Sequence, residues 1–144
     1  MLVSQILKSK ADLAVVTIAS GATIAEAAAL LSERRIGALI VSKDGKSAAG
    51  ILSERDIVRE IGKRGPAVLG EKVAALMTKK LISCARGDKT DAVLQMMTDG
   101  RFRHMPVIEA GELVGLISIG DVVKARLMEL SAEKDALEGM IKGY

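Results

Sequence analysis

Gly50-Ile51-Leu52-Ser53-Glu54-Arg55-Asp56 returns 65 residues later as Gly115-Leu116-Ile117-Ser118-Ile119-Gly120-Asp121. Each copy is a short apolar run that stops at a serine, with an aspartate three residues further on. An apolar pair and a basic residue follow, Ile57-Val58-Arg59 in one copy and Val122-Val123-Lys124 in the other. This order predicts a strand that feeds directly into the first turn of a helix. Two uses of such a junction stand side by side. Ser-x-x-Asp is a capping box that satisfies the helix's own orphan N–H groups. The same N–H groups and the positive end of the helix dipole also suit a small ligand carrying hydroxyls or phosphates.

Working outward, the repetition extends well beyond the motif. Thr23-Ile-Ala-Glu-Ala aligns with Thr90-Asp-Ala-Val-Leu, and Ile36-Gly-Ala-Leu-Ile-Val with Arg103-His-Met-Pro-Val-Ile, both at an offset of 67. The offset falls to 65 by Gly50, so two residues are missing between the strands, where Ser42-Lys-Asp-Gly-Lys-Ser is answered by the shorter Glu109-Ala-Gly-Glu. Hairpin turns absorb that change. Each half therefore reads as the same series. An amphipathic leading segment (Val3–Leu7, Val73–Met77) precedes a β-rich segment (Leu13–Ile18, Leu81–Ala85). A helix comes next, capped by Thr23 with Glu26 completing its box, or by Thr90 in the second half. These helices are expected to bury Ile24, Ala27, Ala28 and Leu31, and Ala92, Leu94, Met96 and Met97. Two strands around a turn follow, Gly37–Val41 with Ala48–Leu52 and Met105–Ile108 with Leu113–Ile117, and a last helix closes each half.

A β-α-β-β-α unit of this size covers only one face of its sheet, so the two halves are expected to pack on each other about a pseudo-two-fold axis. The expected fold is α/β (α+β), with repeat 1 over 1–64, repeat 2 over 65–124 and a helical tail over 125–144. Lys63-Arg64-Gly65-Pro66 is the expected joint.

Composition narrows the function. The chain has 144 residues, 49% of them apolar, enough for a core. No apolar run approaches the roughly 18 residues of a membrane span, and the first residues lack the pattern of a signal sequence, so a cytoplasmic protein is expected. One cysteine, Cys84, and one histidine rule out an internal disulfide and a Cys/His zinc cluster; Cys84 is expected in the core. The net charge of +3, from 21 Lys and Arg against 18 Asp and Glu, points only weakly to an anionic partner. Phe102 and Tyr144 are the only aromatic residues, so the stacking platforms of single-strand nucleic-acid binders are missing. Seven methionines at scattered apolar positions read as core filling.

Taken together, the two Ser-x-x-Asp motifs and Arg103-His104-Met105-Pro106-Val107-Ile108 resemble a tandem pair of cystathionine β-synthase (CBS) domains over residues 1 to about 124. The resemblance implies a stand-alone regulatory protein with two clefts for adenosine-containing ligands, AMP, ADP, ATP or NAD(H), whose ribose hydroxyls bind the motif's serine and aspartate. It implies one cleft combining Val16, Ile36 and Gly37 with Ser118 and Asp121, and another combining Ser83, Arg103 and His104 with Ser53 and Asp56. Met105 and Pro106 belong to the same strand motif. The first repeat departs from the pattern, because Ile36-Gly37 stands where the second has Arg103-His104, so the clefts need not take the same ligand. Arg55 reads equally as a phosphate contact or a solvated arginine, and Arg34, Arg35, Arg101, Lys79 and Lys80 as rim charges.

No Gly-x-Ser-x-Gly elbow, P-loop or metal-ligand spacing occurs in the sequence, so a catalytic role is not expected. The expected partners are an adenine nucleotide, a second copy of the chain and an unidentified regulated protein, with no membrane. A basic module that binds nucleic acid or protein without sensing nucleotides is the alternative. The tail carries Val123, Leu127, Leu130, Lys134, Leu137 and Ile141 at alternating steps of four and three, a coiled-coil spacing that serves either a second copy or the tail's own domain.

Overall fold

The computed structural model describes residues 1–10 and 14–142. The expected strand start at Leu13, and Gly143 and Tyr144 of the tail, lie outside the described residues. The fold is a small mixture of helices and short strands, and it divides into two compact units that cut across the order of the chain. One unit holds residues 14–83 and 108–114; the other holds 1–13, 84–107 and 115–144. Among the described residues, no helix is long and apolar enough to cross a membrane.

In the first of these units, strands β1 (Thr17–Ile18), β2 (Ala38–Val41) and β3 (Gly50–Ser53) form a sheet in that order. β1 is parallel to β2 and β2 antiparallel to β3, with Ala38 opposite Ser53. β2 reads Ala-Leu-Ile-Val and is buried along its whole length, as expected of a central strand with an apolar residue at each position. Helix α2 (Ile24–Arg34) starts where Thr23 Oγ1 accepts from the Glu26 N–H at 3.1 Å. Its box is one-sided, contrary to expectation, because the exposed Glu26 carboxylate faces water rather than returning to the cap. Ile24, Ala27 and Leu31 of α2 meet Leu39, Val41, Leu52, Ile57 and Val73 in the core.

Helix α3 (Glu54–Arg64) ends at Gly65, with φ +82°, and Pro66 opens a 3-10 turn over Pro66–Gly70. The joint is thus a packed element with Val68 buried. Helix α4 (Val73–Leu76) follows, and the chain then lays Thr78 beside β3 through reciprocal backbone bonds with Ile51, 3.0 and 2.9 Å. Gly50 is explained by this approach. A Cβ there would lie 2.9 Å from both the Thr78 carbonyl oxygen and Met77 Sδ.

The other unit mirrors the plan with parts from both ends of the chain. Helix α1 (Val3–Ser9) buries Val3, Ile6 and Leu7. Helix α5 (Thr90–Gly100) buries Val93 and Met97. Of the four residues expected there only Met97 is fully buried and Ala92 is exposed; Val93 fills the core instead. An apolar residue at nearly every step from Ala92 to Met97 leaves the phase to tertiary packing. Thr90 is not the cap but the first residue of the helix. Lys89 holds the cap position, and the buried Thr90 hydroxyl donates to Glu129.

The hairpin β4 (His104–Glu109) and β5 (Glu112–Ser118) belongs to this unit through its arms, while its tip counts with the other. The expected strand over Leu81–Ala85 reduces to one parallel bridge, Cys84 to Val107, with Cys84 buried as anticipated. Helix α6 (Ile119–Ile141) closes the unit, with Val122 and Ala125 against the core. Leu7 occupies the space where a Cβ on Gly115 would sit, 2.7 Å from Leu7 Cδ2.

Candidate functional site

Both Ser-x-x-Asp motifs fold as complete capping boxes, and both sit where a strand ends against a helix start. At Ser53 the hydroxyl accepts from the Asp56 N–H at 3.2 Å, and Asp56 Oδ2 accepts from the Ser53 N–H at 2.9 Å. At Ser118 the corresponding distances are 3.1 and 2.9 Å. A neighbouring carbonyl completes each start. Gly37 O accepts from Glu54 N at 2.9 Å, and Arg103 O from Ile119 N at 2.8 Å. Gly37 is therefore tied to the Ser53 box and Arg103 to the Ser118 box, each within its own unit.

Capping does not exhaust these carboxylates. An ionised aspartate accepts at two oxygens and about four lone-pair positions, and each box uses one oxygen for the serine N–H. At Asp56 the other oxygen, Oδ1, is met at 2.9 Å by Arg59, whose side chain is 53% exposed and free to exchange with solvent. At Asp121 the Lys10 ammonium also reaches Oδ2, at 2.9 Å, so the cap and the ion pair converge on one oxygen of the carboxylate. The serine hydroxyl accepts in its box and keeps its own proton to donate. A Ser-x-x-Asp box can thus hold its helix and still present acceptors to a pair of vicinal hydroxyls.

The two boxes differ electrostatically. Burial pushes the Asp121 carboxyl up, but the Ser118 N–H and the Lys10 ammonium outweigh it and hold the group below its ordinary value. Lys10 also donates to Leu116 O at 2.8 Å. The equivalent carbonyl in the other unit, Ile51 O, is taken instead by the Thr78 N–H. A cation here replaces a backbone bridge: Lys10 comes from a distant segment and spans Asp121 and a strand carbonyl, whereas Arg59, the cation at the Ser53 box, comes from the same helix as Asp56. Sequence reading missed Lys10, because 111 residues separate it from Asp121. Arg59 stood in view, at a helical step of three from Asp56.

The remaining candidates fall as follows. Arg55 is exposed in the first turn of α3, and Ser83 is exposed on a loop. Val16 is half-buried, and its carbonyl accepts from Ile40 N at 3.3 Å. Ile36 and Gly37 line an open cavity of about 530 Å³ together with Leu31, Arg35, Glu54 and Ile57. Arg103 is exposed and His104 half-buried at the start of β4. Met105 and Pro106 are buried, and the Pro106 carbonyl accepts from Cys84 N at 3.0 Å, so both serve the core.

The CBS domain family matches residues 3–63 and 73–128, two tandem copies that together take in both boxes. This chain belongs to the CBS-domain family. A CBS-domain-containing protein from Agrobacterium tumefaciens is 43% identical, with a TM-score of 0.83 over 88% of this chain and 99% of that one. The mitochondrial CBS domain-containing protein CBSX3 of Arabidopsis thaliana is 36% identical over 98% of this chain and 72% of its own length. A CBS domain protein from Pyrobaculum aerophilum, complexed with AMP, is 28% identical, with a TM-score of 0.78 over 92% of this chain and 99% of that one. In some longer Arabidopsis relatives the chain spans only 25% of the protein. A protein from Burkholderia ambifaria described as a signal-transduction protein with CBS domains is 38% identical, with a TM-score of 0.83 over 89% of this chain and 95% of that one.

Proposed function

We propose that this CBS pair senses adenine nucleotides, AMP, ADP, ATP or NAD(H), and passes occupancy on through conformation or association to a partner protein. The observation that carries the reading is the duplicated capping box whose aspartate retains acceptor capacity beyond the cap. The AMP bound to the Pyrobaculum aerophilum relative supports adenosine as the shared chemistry. In this reading Ser53 with Asp56, and Ser118 with Asp121, each accept and donate to ribose hydroxyls. Arg103, His104 and Arg55 supply phosphate contacts, while Ile36 and Val16 offer aliphatic surface to a base. The role is regulatory rather than catalytic. A cytoplasmic location belongs to this reading too, although the Arabidopsis relative named as mitochondrial shows that the family is not confined to one compartment.

The difference between the boxes predicts different ligand preferences. Lys10 is paired with Asp121, whereas Arg59 is paired with Asp56 and Arg55 lies exposed beside it, so the two sides should prefer ligands of different phosphate charge. Calorimetric titration of the full chain with AMP, ADP, ATP and NAD checks both points. Asp56→Ala and Asp121→Ala should each weaken binding by about 10- to 150-fold, the equivalent of losing a charged hydrogen bond of about 1.5–3 kcal/mol. Variants that bind every nucleotide as the parent does, with only their unliganded melting points lowered, would mean the boxes are caps and nothing more. Salt-sensitive binding of RNA or DNA without nucleotide competition would favour the nucleic-acid alternative.

A further inference from the structure

Helix α6 outlasts the domain it caps. Its first half packs through Val122 and Ala125, and Glu129 ties it down through Thr90 and the N-terminal ammonium, the latter at 3.1 Å. From Ser131 to Glu138 each residue is exposed, and the CBS match stops at residue 128. A helical segment of about a dozen residues is marginal in water by itself. This one is nevertheless studded with uncovered apolar side chains, Leu127, Leu130, Leu137 and Ile141 being 63, 46, 59 and 76% exposed. With Val123 and Lys134 they form one stripe, offset from the buried face of Val122 and Ala125 and spaced as alternating a and d positions.

We propose that α6 pairs with the α6 of a second copy as a short antiparallel coiled coil. A heptad stripe is complementary to another heptad stripe, and the charges choose the copy's orientation. In a parallel pair, Lys134 at an a position would face Lys134, and Glu133 would face Glu138 across the flank. In the antiparallel register Val123 lies opposite the second copy's Ile141, Leu127 opposite Leu137 and Leu130 opposite Lys134. The two lysines are then separated, each laying its aliphatic stem over a leucine. Lys124 and Glu138 become flanking partners, twice by symmetry. Glu133 facing its own copy is the one unfavourable contact, at the centre.

The inference is independent of the nucleotide reading, because it rests on residues outside both boxes. Light scattering of the full chain at tens of micromolar should give the dimer mass. Leu127→Glu and Leu137→Glu, both exposed in one chain, should shift it to monomer while the cooperative unfolding transition of the domain persists. Glu133→Gln should lower the dissociation constant. A mixture of Val123→Cys and Ile141→Cys chains should yield mixed disulfides, with Cys84 shielded by burial. A monomeric parent, a dimer indifferent to both glutamates, or Val123→Cys chains that link only to themselves would each overturn the proposal.

Discussion

Asp121 and Lys10 show how a single contact separates two boxes that look alike in sequence. The folded-state pKa of Asp121 is depressed, so its contribution to stability is present above the ordinary carboxyl value of about 3.9 and is lost as pH falls through the lower folded value. Lys10→Met removes the cation but leaves the burial, which by itself raises the pKa. The stability gap between parent and variant should therefore be widest near neutrality and shrink as the pH is taken below about 4. Urea unfolding at several pH values reads this directly. A gap constant with pH would mean that Lys10 acts only through the Leu116 carbonyl.

The serine and aspartate were legible in the sequence because a cap is a local device, with partners three residues apart. Lys10 was not, because an ion pair closed across most of the chain leaves no local spacing to read. Gly50 and Gly115 lie between these extremes. Their repetition was visible, but its cause, the close approach of a leading segment to the strand edge, was not.

At the level of elements, those two glycines make unequal demands. An alanine at 50 meets a backbone oxygen, Thr78 O, that is held by the bridge to Ile51, while an alanine at 115 meets the rotatable end of Leu7. Gly50→Ala should cost about 1–3 kcal/mol, as overpacking against an unyielding neighbour does, and Gly115→Ala less. Equilibrium unfolding of the two variants checks the order, and a greater loss at 115 would show that Leu7 is locked in place. Elements with a strong local signal matched their expected positions closely. The central strand β2, apolar at each step, and the helices after Thr23, Ser53 and Ser118 are of this kind. Those that depend on distant partners drifted. The segment around Cys84 pairs at one residue only, and α5 took its buried face from Val93 in a unit where it packs on α6.

At the scale of the molecule, sequence repeats and compact units are different partitions. Residues 1–10 fold with the second repeat, and the segment from Pro66 to Thr78 folds with the first. Val3 N and Ser4 N donate to Asp88 O and Arg86 O at 2.9 Å, while Val73 N and Ala74 N donate to Ala22 O and Ser20 O at 2.8 and 3.1 Å. Each leading segment thus completes the unit built from the other repeat's helix and hairpin. A consequence follows for a chain that lacks residues 1–10. The loss includes three buried side chains, Val3, Ile6 and Leu7, at about 1.5–3 kcal/mol each, so about 5–9 kcal/mol of burial disappears. Packing in sequence order would put the damage in the adjacent strands of repeat 1. The contacts put it more than 80 residues away, around Arg86, Asp88, Thr90 and Gly115. Hydrogen exchange read peptide by peptide should show protection falling first in 84–107 and 115–125, with β2 and β3 retaining more of theirs. Uniform loss across the chain would mean that the two units unfold as one. Loss confined to 24–53 would refute the exchange of leading segments.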